Sequence, residues 1–296
     1  MNEVKYGQPA AEYHAFPALN KSSINKVLDC PLKYKLYIEG ERPEPTPSMK
    51  FGTMCHCLVL EPDRFPLEFH VLENKSTTQA GKKEIAACEA AGQTPVSATD
   101  YAKACRMRDN LYAHPEISDL LALPGEAEVS LYWEMISDSS GEIRACKARC
   151  DAVKKLSDGS CFILDLKTTS GGASLDDIAK HCADFHYHRQ DAWYQYGLEA
   201  CGMKSAGFFF IFTSTQAPHL CNVIQLAPRA KKQGWWECQH AMEILEQCEA
   251  QNKWPGYQTG IEEGLDLPLW YYRNVGTSVF MGSSYSLEED LAAEKA

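Results

Sequence analysis

Asp151, Asp165 and Lys167 are the residues whose types and spacing point most directly to chemistry. Asp165-Leu166-Lys167 closes the apolar run Phe162-Ile163-Leu164. Residues two apart in a strand share a face, so the carboxylate and the ammonium project together. Asp151 lies on the preceding strand-like segment, and pairing of the two strands brings its carboxylate beside Asp165. Converging carboxylates repel unless a cation sits between them. Oxygen ligands favour a hard ion, Mg2+ or Mn2+. A lysine beside that ion orients or deprotonates a water and offsets charge on a phosphorane-like transition state. The combination suits hydrolysis of a phosphodiester. An Asp-Leu-Lys tripeptide alone is an ordinary surface pair; the buried strand and the second acid set this one apart.

Two helical segments add polar groups. In Phe51-Gly52-Thr53-Met54-Cys55-His56, Gly52 permits close packing and His56 follows one turn later. Gln190 and Tyr194 are four apart, on one helical face, and suit a phosphate or nucleotide. Lys21, Ser22 and Ser23 stand at a predicted helix start, where backbone amides and a cation would hold a terminal phosphate.

The elements that must position these groups are legible from periodicity. Leu19–Gly40 reads as two short helices split at Pro31, with Ser22 or Ser23 as N-cap. Ser48–Leu60 reads as a helix, and Ser97 with Asp100 caps another reaching His114. Residues 73–96 are polar and read as a mobile surface segment. Polar and apolar residues alternate from Glu126 to Met135, which predicts a strand with one wet face; Glu128 reads as a residue of that face or as another acid near the metal, the wet face being favoured. Ile143–Leu156 and Cys161–Lys167 complete an antiparallel meander through a Ser-Asp-Gly turn. Helices follow at Ser174–Cys182 and His186–Cys201, strands at Ala206–Thr213 and His219–Leu226, and a helix at Pro228–Asn252. The order predicts an α/β fold with a central mixed sheet flanked by helices.

Composition bounds the rest. With 296 residues, 45% of them hydrophobic, the chain can bury a sizeable core. No run approaches 18 consecutive apolar residues, and the N-terminus lacks a basic-then-apolar leader, which points to a cytoplasmic protein without membrane attachment. Thirteen cysteines in a long chain read as reduced thiols. Cys55-x-Cys57 and Cys146-x3-Cys150 lack the second pair that structural zinc needs. The net charge of -11 opposes nucleic acid overall, but seven acids against two bases fall after Gly260. Arg144, Lys147, Arg149, Lys154 and Lys155 crowd one segment, so DNA contact is expected along a confined basic track.

The ordered set, G-x3-H, a strand Asp, D-L-K-T and Q-x3-Y, resembles the RecB-like branch of the PD-(D/E)XK nucleases. More closely it resembles the RecE-type exonucleases, the exodeoxyribonuclease VIII family. Tyr13-His14, Asn20-Lys21-Ser22-Ser23, Cys30-Pro31-x2-Tyr34, Lys50-Phe51-Gly52-x3-His56 and Arg149-x-Asp151 carry that likeness over Tyr13–Tyr257. It implies a PD-(D/E)XK, restriction-endonuclease-like core within a single nuclease domain over residues 1–296, with an acidic C-terminal region at 261–296. It implies Asp151, Asp165 and the Leu166 main-chain carbonyl as metal ligands, with His56 approaching the metal and Lys167 as the catalytic lysine. Gln190 and Tyr194 would position substrate, with Lys21, Ser22 and Arg149 as further substrate contacts. The implied activity is Mg2+-dependent 5′-to-3′ degradation of duplex DNA, releasing mononucleotides and leaving 3′ overhangs. The implied partners are DNA ends, further copies in a ring-shaped trimer or tetramer, and a RecT-type annealing protein in a bacterial or phage-infected cell. Cys30 before Pro31 is similar to the first ligand of an iron–sulfur cluster in related nucleases, but Cys201, Cys221, Cys238 and Cys248 lack the clustered spacing, so no cluster is expected. Two other readings remain open: a RecB-like nuclease acting on single strands or as an endonuclease, and an inactive DNA-end-binding module.

Overall fold

The computed structural model describes residues 2–40, 44–136, 141–257, 260–261 and 264–268. The elements described below all lie within the compact unit Met1–Gly256. Most of the acidic C-terminal segment lies outside the described residues.

In chain order this unit runs β1 (Glu3–Lys5), α1 (Ala10–Ala15), α2 (Lys21–Asp29), α3 (Pro31–Ile38), α4 (Pro47–Leu60), α5 (Phe65–Glu68), β2 (Phe69–Val71), α6 (Gln79–Ala90) and β3 (Thr94–Val96). It continues α7 (Ala98–Ala113), α8 (Pro115–Ala122), β4 (Gly125–Ile136), β5 (Ile143–Lys155), β6 (Cys161–Thr169), α9 (Leu175–Asp184), α10 (Tyr187–Ala200), β7 (Ser205–Ser214), β8 (Cys221–Ile224) and α11 (Pro228–Gln251). Six strands form one sheet in the order β1-β4-β5-β6-β7-β8. β6 and β7 pair in parallel and the other neighbours antiparallel, which is the mixed sheet expected.

The sheet is apolar on both faces. Ile163, Phe208, Phe210 and Phe212 pack with Trp193 of α10, Ile24 of α2 and Leu245 of α11. Leu164, Leu166 and Ile211 pack on the other side with Val59, Leu111 and Ile117 of α4, α7 and α8. Burying each such side chain contributes about 2 kcal/mol. Close approach on the first face needs glycine: a Cβ on Gly197 of α10 would lie 2.5 Å from the Trp133 ring.

The structure corrects three sequence expectations. Asn20, not Ser22 or Ser23, caps α2, its side chain accepting from the Ser23 amide. Residues 73–96 contain α6, and β2 pairs with β3. Glu84 pins this segment by accepting from the Glu73 and Asn74 amides; its short polar pieces have too little apolar periodicity to announce themselves. β4 has no wet face along its centre: Ser130 and Tyr132 are buried. Phe16 packs edge-on against Tyr132, and Gln8 accepts from its hydroxyl, so the N-terminal segment covers that face.

Candidate active site

The site forms where β5 and β6 part. The two strands pair from Lys155–Cys161 up to Ala152–Leu164. One step further the register sets Asp151 opposite Asp165, as the strand argument predicted. The β4–β5 register sets Glu128 at the position facing Asp151, between the pairs Ala127–Ala152 and Val129–Cys150. Three acids thus occupy one row across three strands. Glu128 adopts φ 52, a conformation that costs a non-glycine residue about 1 kcal/mol or more. Such strain inside a strand is a mark of functional sites.

α4 supplies the fourth group. Gly52 faces β6, where a Cβ would meet Thr168 Oγ1 at 3.4 Å, an ordinary van der Waals contact. One turn on, His56 Nδ1 lies 3.2 Å from Asp151 Oδ2, which also accepts from the Leu166 amide at 2.8 Å. One ligand atom each from His56, Glu128 and Asp151 lie within 4.8 Å of one another. His56 and Glu128 border a cleft of about 640 Å3, whose walls also carry His14, Arg149, Lys167 and Tyr187.

The electrostatics fit a divalent cation. Burial, then the charge of Asp165, pushes the Asp151 carboxyl up to about 8. Burial, then Asp151, also raises Glu128, against the opposing pull of Arg149. Burial, then Lys167, lowers His56, keeping its imidazole in the neutral form that ligates metals. Two acids held against their own repulsion beside a neutral imidazole are a nitrogen-and-oxygen donor set for a hard or borderline ion.

This arrangement predicts a pH-dependent metal effect. A carboxyl raised from about 4 unfolded to about 8 folded stabilises the fold at low pH, and that contribution is lost as pH rises through this window. An ion must displace the retained proton, so apparent affinity should rise about 50-fold from pH 6 to pH 8. Thermal melts titrated with Mn2+ should show the larger shift at pH 8; equal shifts at both values would refute this linkage.

Asp165 is placed differently from Asp151. It is 1% exposed, pairs with Lys167 and accepts from Gln190 Nε2, and it is not among the converging ligand atoms. Lys167 is raised overall: burial opposes its charge, but Asp165 and Asp151 outweigh burial. Gln190 therefore reaches the site, while Tyr194 packs into the core beside Phe208. Ser22 is exposed at the start of α2. Lys21 folds inward, donating to the Phe185 carbonyl at 2.9 Å.

The segment expected to supply a basic track is mostly engaged within the fold. Lys147 donates to the carbonyls of Tyr13 and Phe16, Lys154 to those of Leu121 and Leu123, and Arg144 pairs with Glu249. Arg149 lines the cleft but pairs with Glu128 and donates to the Gln8 carbonyl. Charge counting along a sequence cannot distinguish a cation that faces solvent from one that satisfies buried carbonyls.

Sequence reasoning favoured a solvated role for Glu128 and passed over Tyr187. For Glu128 the signal was the hairpin register, which sets it against Asp151. Tyr187 had no signal beyond its place three residues before Gln190.

No curated protein sequence matches this chain. A solved structure from Eubacterium rectale, described as a candidate exonuclease, superposes with a TM-score of 0.59 at 12% identity, covering 93% of this chain and 100% of that one. The solved structure of SSO0001 covers 76% of this chain and 85% of that one at 15% identity, with a TM-score of 0.30 that supports no argument. The model of a PDDEXK-like domain of unknown function (DUF3799) matches residues 20–263, a span holding His56, Glu128, Asp151, Asp165, Lys167 and Gln190. The chain belongs to this PDDEXK-like family and has the fold of the PD-(D/E)XK nucleases.

Proposed function

We propose that the protein is a divalent-metal-dependent deoxyribonuclease of the RecE type, degrading duplex DNA from 5′ ends and leaving 3′ single strands for annealing. The observation that carries this reading is the convergence of His56, Glu128 and Asp151, with His56, Glu128 and Lys167 lining one cleft. The candidate-exonuclease description of the Eubacterium rectale structure agrees with it. His56, Glu128 and Asp151 would hold Mg2+ or Mn2+, with the Leu166 carbonyl as the further oxygen that the resemblance implies. A divalent ion there supplies Lewis acidity toward the scissile phosphate and acidifies water. Asp165, held by Gln190, aims Lys167. The Lys167 ammonium orients the attacking water and offsets the charge that grows on the phosphate oxygens. Products would pass to a RecT-type annealing protein, and ring assembly of the chain would keep the enzyme on its strand.

Polarity is tested on linear duplexes labelled at the 5′ or the 3′ end, with closed circular DNA in parallel. Early loss of 5′ label as mononucleotide, with circles intact, is expected. Nicking of circles would instead favour the RecB-like endonuclease reading. Lys21, the first residue of α2, gives a further test. Lys21→Ala should slow digestion of 5′-phosphorylated ends about ten-fold more than of 5′-hydroxyl ends, the loss of one charge-assisted contact. Equal slowing would remove Lys21 from end recognition.

A further inference from the structure

We infer that Tyr187 is a positioning residue whose aromatic face holds Lys167, and Lys21 beside it, in fixed places at the cleft. This rests on the nuclease reading for its kinetic consequence, but the geometry stands apart from it. The Tyr187 ring centroid lies 4.8 Å from the Lys167 ammonium and 5.3 Å from that of Lys21. Tyr187 lines the same cleft as His56 and Glu128 and is only 9% exposed. Its ring is itself fixed, stacking with Phe210 of β7 at 5.6 Å and with Phe185 at 5.9 Å.

The physical need is plain. Lys167 has Asp165 as an acidic partner, whereas Lys21 has the Phe185 carbonyl. The two ammoniums repel, and each long side chain has several rotamers open to it. An aromatic face attracts a cation without accepting a proton, and the attraction grows when water is excluded. One ring serving both lysines offsets their repulsion while leaving their N–H groups available to phosphate oxygens. The helix start at Tyr187, directly after His186 at φ 54, turns the chain so that the ring enters the cleft ahead of Gln190.

The test compares Tyr187→Phe, which keeps the face and removes only the hydroxyl, with Tyr187→Leu. The first readout does not depend on catalysis: the rate at which an amine-reactive reagent modifies Lys167, followed by peptide mass spectrometry. Several-fold faster modification in Tyr187→Leu, with Tyr187→Phe like the wild type, is expected. The second readout is cleavage of linear duplex, where Tyr187→Leu should lose about ten-fold in kcat with little change in KM, and Tyr187→Phe should stay within about two-fold. Unchanged Lys167 reactivity in Tyr187→Leu, or an equal effect of both variants, would overturn the assignment. Should Tyr187→Leu fail to fold, Tyr187→Trp replaces it: retained kcat and slow modification support the face, and loss of either contradicts it. If the wild type cuts no DNA while Lys167 is released in Tyr187→Leu, the nuclease reading fails and the anchor stands.

Discussion

Lys167→Ala is expected to lower the rate of phosphodiester cleavage by about 10²–10³-fold, the usual loss when one preorganised donor to a developing negative charge is removed. The side chain is 18% exposed and paired with a fully buried Asp165, so its charge is little screened and has no substitute within the pair. Lys167→Arg separates the two parts of its role. It restores a cation for Asp165 but not the compact ammonium beside the water, so stability should recover while activity stays low. Metal-induced thermal stabilisation should persist in both variants, because His56, Glu128 and Asp151 are untouched. Cleavage by Lys167→Ala at the wild-type rate would remove the lysine from the chemistry.

Asp151→Asn should have the other large effect, and in two opposite directions. The ion would lose the ligand at the centre of the acid row, abolishing the Mn2+-dependent thermal shift and with it all but about 10⁻³ of the activity. Without metal, the variant should melt higher than the wild type at pH 8, because the substitution removes a carboxyl that burial and Asp165 hold near pH 8. The asparagine oxygen can still accept from the Leu166 amide, so the strands need not move apart. Calorimetry with and without Mn2+ reads both effects. A metal-free variant that melts lower than the wild type at pH 8 would mean that Asp151 is a structural acid and not a metal-site acid.

The sequence disclosed the acids on β5 and β6, the lysine two residues on, and the helix carrying His56. Strand alternation and helix periodicity are local, and these groups follow directly from them. Asp151 opposite Asp165 was legible because the intervening turn is short enough to set the register. The place of Glu128 was less legible because the strand rule puts alternate residues in water, whereas Tyr13 and Phe16 of a distant segment cover that face of β4 at Tyr132. Its left-handed backbone is equally invisible to periodicity. Lys147 and Lys154 show the same limit from the other side: each ends on backbone carbonyls contributed by remote segments. Tertiary contacts decide which charges remain free, and one sequence does not encode them locally.

We propose that His56, Glu128, Asp151 and Lys167 form a metal-dependent phosphodiesterase centre. The most direct measurement is release of acid-soluble nucleotide from uniformly labelled linear duplex by the wild-type protein in Mg2+, before and after chelation, with Glu128→Ala as the paired variant. Steady release in Mg2+, arrest on adding chelator, recovery when Mg2+ is restored, and loss of release in Glu128→Ala are expected. No release in Mg2+ or Mn2+, or release unaffected by the chelator, would contradict it.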